Sequence, residues 1–290
     1  MMRSRTTAAL RILAAILLAS LAAYSYAAAA KSGESDTVAQ LRAGKNFIPT
    51  KVYTEEEDQA ILALFKGLRV ADVSDGMDKA GLQNIGRMDP AIQPLWKDTK
   101  HFTHRFVGIA VTQRYVPTNR PPAGQRPIEE FDKWKNDWYG KIAPEAFKPL
   151  IRKGTALVIE NPESVDVGPI GSNNSMGWRE RGCIGVVANA TARDTDELSH
   201  QGLPIYFRKT GRGIRPGRIE TESVNRPVVC GGVLVVPGDV IVADGDGVIV
   251  VPRERAEEVA AYARQTIDGD KAGRRKLYEK LGLPVDDSVK

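Results

Sequence analysis

Between Pro227 and Pro252 the chain is rich in Val and Ile, in short runs separated chiefly by Gly, Asp and Pro: PVVCGGVLVVPGDVIVADGDGVIVVP. β-Branched residues in short runs, separated by Pro237-Gly238-Asp239 and by Asp244-Gly245-Asp246-Gly247, fit two or three strands joined by tight turns. The acidic glycine turn resembles the start of a calcium-binding loop. The later Glu such a loop needs is missing, so the turn reads as a hairpin. A second apolar strand runs from Cys183 to Ala188 without alternation, as expected of a strand covered on both faces. Ala156–Ile159, Phe106–Thr112 and Pro204–Phe207 read as further strands. A sheet buried this deeply needs helices on at least one face, and the chain supplies them.

Thr54 followed by Glu55, Glu56 and Glu57 predicts a capped helix start, with Glu57 closing a capping box. Ile61, Leu62, Leu64 and Phe65 form its apolar face, and Gly67 ends it. Ser74 or Asp75 is expected to cap a second short helix ending at Gly81. Glu254 to about Leu281 is expected to be a long helix with a charged outer face. Residues 113–145 read as an insertion. Four prolines, at 117, 121, 122 and 127, make its first part irregular, and Trp134, Trp138 and Tyr139 cluster in the rest. These aromatics either pack the insertion onto the body or serve a lid or subunit contact. Residues 208–226 are basic and turn-rich and read as a solvated loop; no phosphate-binding Gly-x-x-x-x-Gly-Lys pattern occurs. His101 and His104 lack a third metal ligand and read as solvated.

The first thirty residues differ from the rest. Arg3, Arg5 and Arg11 precede an apolar run from Ile12 to Ala23, and small residues follow up to Ala30. This order predicts a secretory signal peptide over 1–30, cleaved between Ala27 and Lys31, and a periplasmic or secreted product without a stable membrane anchor. An uncleaved N-terminal anchor is the alternative. Residues 31–53 read as a loosely packed arm and 54–290 as one α/β domain. Removal of the three arginines takes away most of the +5 formal charge, so no nucleic-acid partner is expected. Cys183 and Cys230 both fall in expected strands; export permits a disulfide, but two buried thiols fit equally well. They make no zinc site.

The segment from Gly171 to Asp194, GSNNSMGWRERGCIGVVANATARD, carries the chemistry. It reads as loop, short helix, buried strand, then a turn with Arg193 and Asp194. An Arg offers a planar fork to a carboxylate, and an Asp offers a hard oxygen to a divalent cation. The plain alternative is a helix N-cap beside a surface Arg, because Thr195-Asp196-Glu197-Leu198 follows.

Taken in order, Val73-Ser74-Asp75-Gly76-Met77, Gly108-x-Ala110-x-Thr112, Gly182-x-x-Gly185-Val186-Val187, Arg193-Asp194-x-Asp196-Glu197-Leu198, Pro204-Ile205-Tyr206 and Cys230-Gly231-Gly232-Val233 through Pro237-Gly238-Asp239 to Asp246-Gly247-Val248 resemble the RraA-like family. That family includes regulators of ribonuclease E and 4-hydroxy-4-methyl-2-oxoglutarate aldolases. The resemblance implies a single-domain α/β sandwich with a swivelling β/β/α-like topology, here with an aromatic insertion and a C-terminal helix. It implies a homotrimer or hexamer with sites between subunits. It also implies a divalent-metal-dependent lyase acting on small 2-oxo acids by retro-aldol cleavage or oxaloacetate decarboxylation. Arg193 and Asp194 would be catalytic. Asp194 would bind Mg²⁺ or Mn²⁺, and Arg193, Ser172, Asn173 and Asn174 would bind substrate.

One departure matters. In the aldolase branch an upstream carboxylate organises metal-bound waters, and its place here is Ser172. A hydroxyl brings no negative charge and no ordinary carboxylate base. Weaker metal binding is expected, and proton transfer needs another acid, with Asp166, Glu180 or a group from the next subunit as candidates. The rival reading is a non-catalytic binding or regulatory protein on the same fold. Ribonuclease regulation fits an exported chain badly.

Overall fold

The computed structural model describes residues 37–286 and 288–289. The expected signal peptide lies outside the described residues. Residues 37–49 belong to one unit, helical over 37–43 and exposed almost throughout; the second unit starts at Thr50. Among the described residues no helix is long and apolar enough to cross a membrane.

In the second unit, α1 (Glu55–Phe65) starts as its sequence predicts. Glu57 N donates to Thr54 Oγ1 at 3.2 Å, and Thr54 N donates to Glu57 Oε2 at 2.7 Å. The apolar face is narrower than expected: Ile61 and Phe65 are buried, but Leu64 lies 43% exposed. α2 (Val70–Lys79) begins one turn earlier than expected, so Ser74 and Asp75 lie inside it. Its start is set by Asp72, which reaches back to accept from Arg69 N at 2.9 Å, and by Asp244, which accepts from Val70 N at 2.9 Å. Gly76 lets this helix meet the C-terminal one closely, since a Cβ there would stand 2.6 Å from the Val259 carbonyl oxygen.

The strands are β1 (Gln93–Pro94), β2 (Phe106–Pro117), β3 (Thr155–Glu160), β4 (Cys183–Ala188), β5 (Thr191–Ala192), β6 (Ile205–Phe207), β7 (Lys209–Thr210), β8 (Ile219–Val224), β9 (Val228–Cys230), β10 (Val233–Val235), β11 (Val240–Asp244) and β12 (Gly247–Val251). Eight form one sheet in the order β1-β6-β4-β3-β2-β11-β12, with β8 also on β2. β2, β3, β4 and β6 are parallel, whereas β11, β12 and β8 join antiparallel. The 244–247 turn closes the β11–β12 hairpin, with Asp244 opposite Gly247.

Alternation along these strands divides the core. Ala156, Val158, Val187, Ile241 and Val250 face one side, where the β9–β10 hairpin, Met88 and Ile92 cover them. On the other side, Val240, Val242, Ile249 and Val251 meet α1, α2 and the C-terminal helix. Leu157, Ile159, Val186 and Ala188 face the same way over the neighbouring strands, under Trp138, Phe147, Trp178 and Leu198. Hairpin, sheet and helices make the expected β/β/α layering, with both faces of the central strands buried.

The remaining helices are α3 (Ile128–Asp137), α4 (Ser172–Glu180), α5 (Thr195–Gln201) and α6 (Ala256–Leu281). α6 buries Ala256, Val259, Ala260, Ala263 and Ile267, a helical stripe, and ends at Gly282 in the left-handed region.

The insertion differs from its expected limits. Residues 113–117 complete β2 and pair with β8, so the irregular part starts at Thr118. α3 leads into a π-helical turn at Trp138–Ile142. Trp138 is 2% exposed and its Nε1 donates to the Ile219 carbonyl at 2.9 Å, anchoring the insertion on the body. Residues 208–226 are not a solvated loop, because they include β7 and β8 and the buried Arg215. His104 is buried rather than solvated, with Nδ1 accepting from Asp98 N at 3.1 Å; His101 is exposed. Cys183 and Cys230 are both free and buried, one in each of two separate core clusters.

Candidate functional site

β4 delivers the site. Leaving its carboxyl end, the chain turns at Asn189-Ala190, adds β5 and reaches Arg193 and Asp194 before α5. The segment 167–171 runs alongside. Val167 bridges Gly213, Ile170 bridges Ala192, and Arg193 N donates to Ile170 O at 2.9 Å. Thr191 Oγ1 donates to the Val167 carbonyl. Gly168 lies directly against Arg193, and no other residue type fits there without movement: an added Cβ would stand 2.6 Å from Arg193 Cβ.

Asp194 occupies the N-cap position of α5, as the plain reading predicts, but makes no side-chain cap bond to that helix. Its φ of 57° places it in the left-handed region, a costly conformation for a non-glycine residue. The carboxylate points across to α4 instead. Oδ2 accepts from Ser172 N at 3.0 Å and from Ser172 Oγ at 3.1 Å. Arg193 Nε stands 3.7 Å from Asp194 Oδ1, and the two side chains are 33% and 36% exposed. The start of α4 therefore faces a fixed carboxylate beside a cation, both open to solvent.

Arg193, Asp194 and Ser172 are thus brought together. Asn173 is exposed on the first turn of α4. Asn174 is turned away, with Nδ2 donating to Glu145 Oε1 at 2.5 Å. The two suggested substitute acids do not join the group. Asp166 accepts from Arg212 N and pairs with Arg212 Nη2 at 2.6 Å, contacts that hold its carboxyl below the usual range. Glu180 is at the far end of α4, roughly 12 Å along the axis from Ser172 at 1.5 Å per residue.

Glu145 belongs to none of the motifs in the sequence, yet it is a buried acid behind α4. An isolated acid inside Ile142-Ala143-Pro144-Glu145-Ala146-Phe147 was the available signal, since a carboxylate placed among apolar residues needs partners. Two concavities mark the surface elsewhere. One is lined by Tyr53, Arg152 and Pro237, the other by Pro121, Arg126 and Trp134, and neither includes Arg193 or Asp194.

Among the described residues no cluster of three or more His, Cys, Asp or Glu could hold a metal ion. The donors at hand are the Asp194 carboxylate and the Ser172 hydroxyl, with Asn173 exposed on the same turn of α4. This all-oxygen set with a single charge fits a Mg²⁺- or Mn²⁺-type ion that keeps most of its water, and does not fit a soft or fully dehydrated ion.

The RraA-like family model (Aldolase/RraA) matches residues 70–250, and the chain belongs to that family. Protein DlpA of Legionella pneumophila is 25% identical over 221 residues, 74% of this chain and 32% of that protein. A protein of Halalkalibacterium halodurans provisionally named 4-hydroxy-4-methyl-2-oxoglutarate aldolase is 32% identical over 108 residues, 34% of this chain and 47% of its own length. This chain thus spans a third to a half of these two curated relatives. Among solved structures, an uncharacterised protein of Pseudomonas syringae superposes with a TM-score of 0.58 at 24% identity, covering 84% of this chain and all of that one. RraAS2 of Streptomyces coelicolor, described as an unusual member of the RNase ES inhibitor RraA family, gives 0.59 at 22% identity, covering 78% and 99%. At these identities the structures establish the fold.

Proposed function

We propose that this chain is a divalent-metal-dependent carbon–carbon lyase for small 2-oxo acids, the retro-aldol or oxaloacetate-decarboxylating type. The observation that carries the proposal is the Asp194 carboxylate. It is held in a left-handed conformation, left out of its own helix cap and aimed at the start of α4 beside Arg193. A purely structural N-cap would bond its own helix. Arg193 binds the substrate carboxylate through its planar fork. Ser172 fixes the carboxylate of Asp194, and Asn173 offers a neutral hydrogen-bonding group at the same helix start. Asp194 would hold the Mg²⁺ or Mn²⁺ ion. When bound, such an ion supplies the Lewis acidity that a 2-oxo acid requires as its carbon–carbon bond breaks. The open position of the pair supports a site completed by a neighbouring subunit in a trimer or hexamer. The basic–apolar–small order of residues 1–30 supports export to the periplasm.

The test is oxaloacetate and 4-hydroxy-4-methyl-2-oxoglutarate turnover with Mn²⁺, alongside calorimetric Mn²⁺ binding and light scattering. Asp194→Ala is expected to abolish metal-dependent turnover. Arg193→Lys is expected to lower it roughly ten- to hundred-fold, the worth of a lost charged hydrogen bond. Ser172→Asp sets a second carboxylate against Asp194. It should destabilise the metal-free protein and be rescued by Mn²⁺, with tighter binding and faster cleavage. Wild-type protein that binds no divalent metal and turns over no faster than free Mn²⁺ would end the lyase proposal. The second reading, a non-catalytic binding protein, is favoured by Ser172 itself and would then stand.

A further inference from the structure

We infer that Glu145 is a positioning residue of the Arg193–Asp194 site, tying the first turn of α4 to the insertion and to the 208–218 segment. The geometric part stands alone; its effect on turnover rests on the lyase proposal.

The Glu145 side chain is 5% exposed and accepts three hydrogen bonds, two at Oε1 and one at Oε2. Oε1 accepts from Asn174 Nδ2 at 2.5 Å and from Arg215 Nη2 at 2.8 Å. Oε2 accepts from Trp178 Nε1 at 3.0 Å, and the Lys148 ammonium forms an ion pair with it at 2.8 Å. Asn174 and Trp178 are four residues apart on α4 and share one face. Glu145 therefore holds that helix at two points one turn apart, fixing its rotation as well as its position. Arg215 is 7% exposed, donates to Tyr115 Oη at 2.8 Å and lies over the Tyr139 ring at 4.8 Å. The clamp is thus anchored to β2 and to the π-helical turn.

The other end of the same helical turn meets the site. Ser172, two residues before Asn174, gives both its N–H and its hydroxyl to Asp194. The fit is tight, since a Cβ on Gly171 would stand 3.0 Å from Asp194 Oδ2. A small rotation of α4 would separate Ser172 from the carboxylate. Burying an ion pair is a poor way to gain stability, because desolvation offsets most of the attraction. What the Glu145–Arg215 pair supplies here is a defined position, with both carboxylate oxygens engaged.

Glu145→Gln tests this without changing shape. Its amide NH₂ must face two donors whichever way it turns. Trp178→Phe removes one donor from the Oε2 edge, and Lys148, 45% exposed, is free to turn to solvent. In the double variant the amide oxygen can then accept from Asn174 and Arg215 as the carboxylate Oε1 of Glu145 does. The readout is hydrogen exchange at the Ser172 amide relative to the amides of β4. Glu145→Gln should speed Ser172 exchange roughly tenfold, the size expected for a lost buried hydrogen bond, with little change in β4. The double variant should return it close to wild type, and below the single Glu145 variant. Equal acceleration at Ser172 and β4, or no rescue, overturns the inference. Should Glu145→Gln fail to fold, Asn174→Ala removes one link while leaving the ion pair, and unchanged Ser172 exchange there overturns it as well. In turnover of oxaloacetate with Mn²⁺, Glu145→Gln should lower kcat with KM little changed, and the double variant should recover it. If the exchange pattern holds while even the wild type fails to turn over, the positioning role stands and the lyase proposal falls.

Discussion

Gly168→Ala is the sharpest probe of how firmly Arg193 is placed. The added methyl would stand 2.6 Å from Arg193 Cβ, 2.8 Å from Cγ and 3.0 Å from the backbone nitrogen. Carbon pairs rest at about 3.5–4.0 Å, so about 1 Å must be found. Neither strand can yield it cheaply. Gly168 N donates to Gly213 O at 3.0 Å, Arg193 N donates to Ile170 O at 2.9 Å, and the Val167–Gly213 and Ile170–Ala192 bridges flank the contact. Overpacking of this kind costs about 1–3 kcal/mol in stability. A displacement of about 1 Å at a substrate-positioning group costs on the order of a hundredfold in rate. Urea unfolding measures the first, and oxalate binding with oxaloacetate turnover measures the second. Gly177→Ala, on open space within α4, is the matched control and should gain about 0.5–1 kcal/mol. A Gly168→Ala protein with wild-type unfolding and oxalate affinity would refute the reasoning, because it would mean that the 167–171 segment is slack and does not fix Arg193.

Two further outcomes follow from the fold. Burial pushes the Asp239 carboxyl up from 3.8 to about 6, against the pull of its hydrogen bonds from Val236 N and Arg253 N. The folded state then keeps a proton that the unfolded state has lost, so this residue's contribution to stability falls by about 3 kcal/mol as pH rises from about 4 to about 6. Denaturation at pH 4.5 and 7 should show about 2 kcal/mol of that fall in wild type and not in Asp239→Asn; equal slopes would remove the assignment. Thr54→Ala should cost about 1 kcal/mol by breaking the capping box of α1, measured by urea midpoint; an unchanged midpoint would mean that the box adds nothing.

What could be read in the sequence was local. The Cys183–Ala188 strand, the Thr54–Glu57 box, the 244–247 hairpin turn and the α4–β4 order depend on neighbours within a few residues. α2 starts a turn before its Ser74 and Asp75 suggest because its cap is an acid at the third helical position, Asp72, reaching back to an Arg, with no Ser or Thr at the start. β8 gives no strand signal because Ile219-Glu-Thr-Glu-Ser-Val224 is mostly polar and half-buried, and its partner is the extension of β2 a hundred residues earlier. Arg215 looked solvated because Glu145 and Tyr115, which bury it, are distant in sequence. At the site the Arg193–Asp194 pair was legible as residue types. The left-handed turn of Asp194 and its reach to Ser172 depend on packing between two connections, which no spacing in the chain encodes.

The two cysteines have a use that follows from where they sit. Thiol reagents attack the thiolate. Burial pushes the Cys183 thiol up to about 11 and raises that of Cys230 as well. In the native protein both are chemically silent, and a labelled molecule is one that has breathed open. Cys183 lies under the flank that carries α4, and Cys230 is the last residue of β9, with its side chain buried between the β9–β10 hairpin and the sheet, so the chain contains two built-in clocks for two parts of its interior. Matching labelling rates would mean that the sheet opens as one cooperative body. Earlier labelling of Cys183 would mean that the flank bearing Arg193 gives way first, with the hairpin layer still closed.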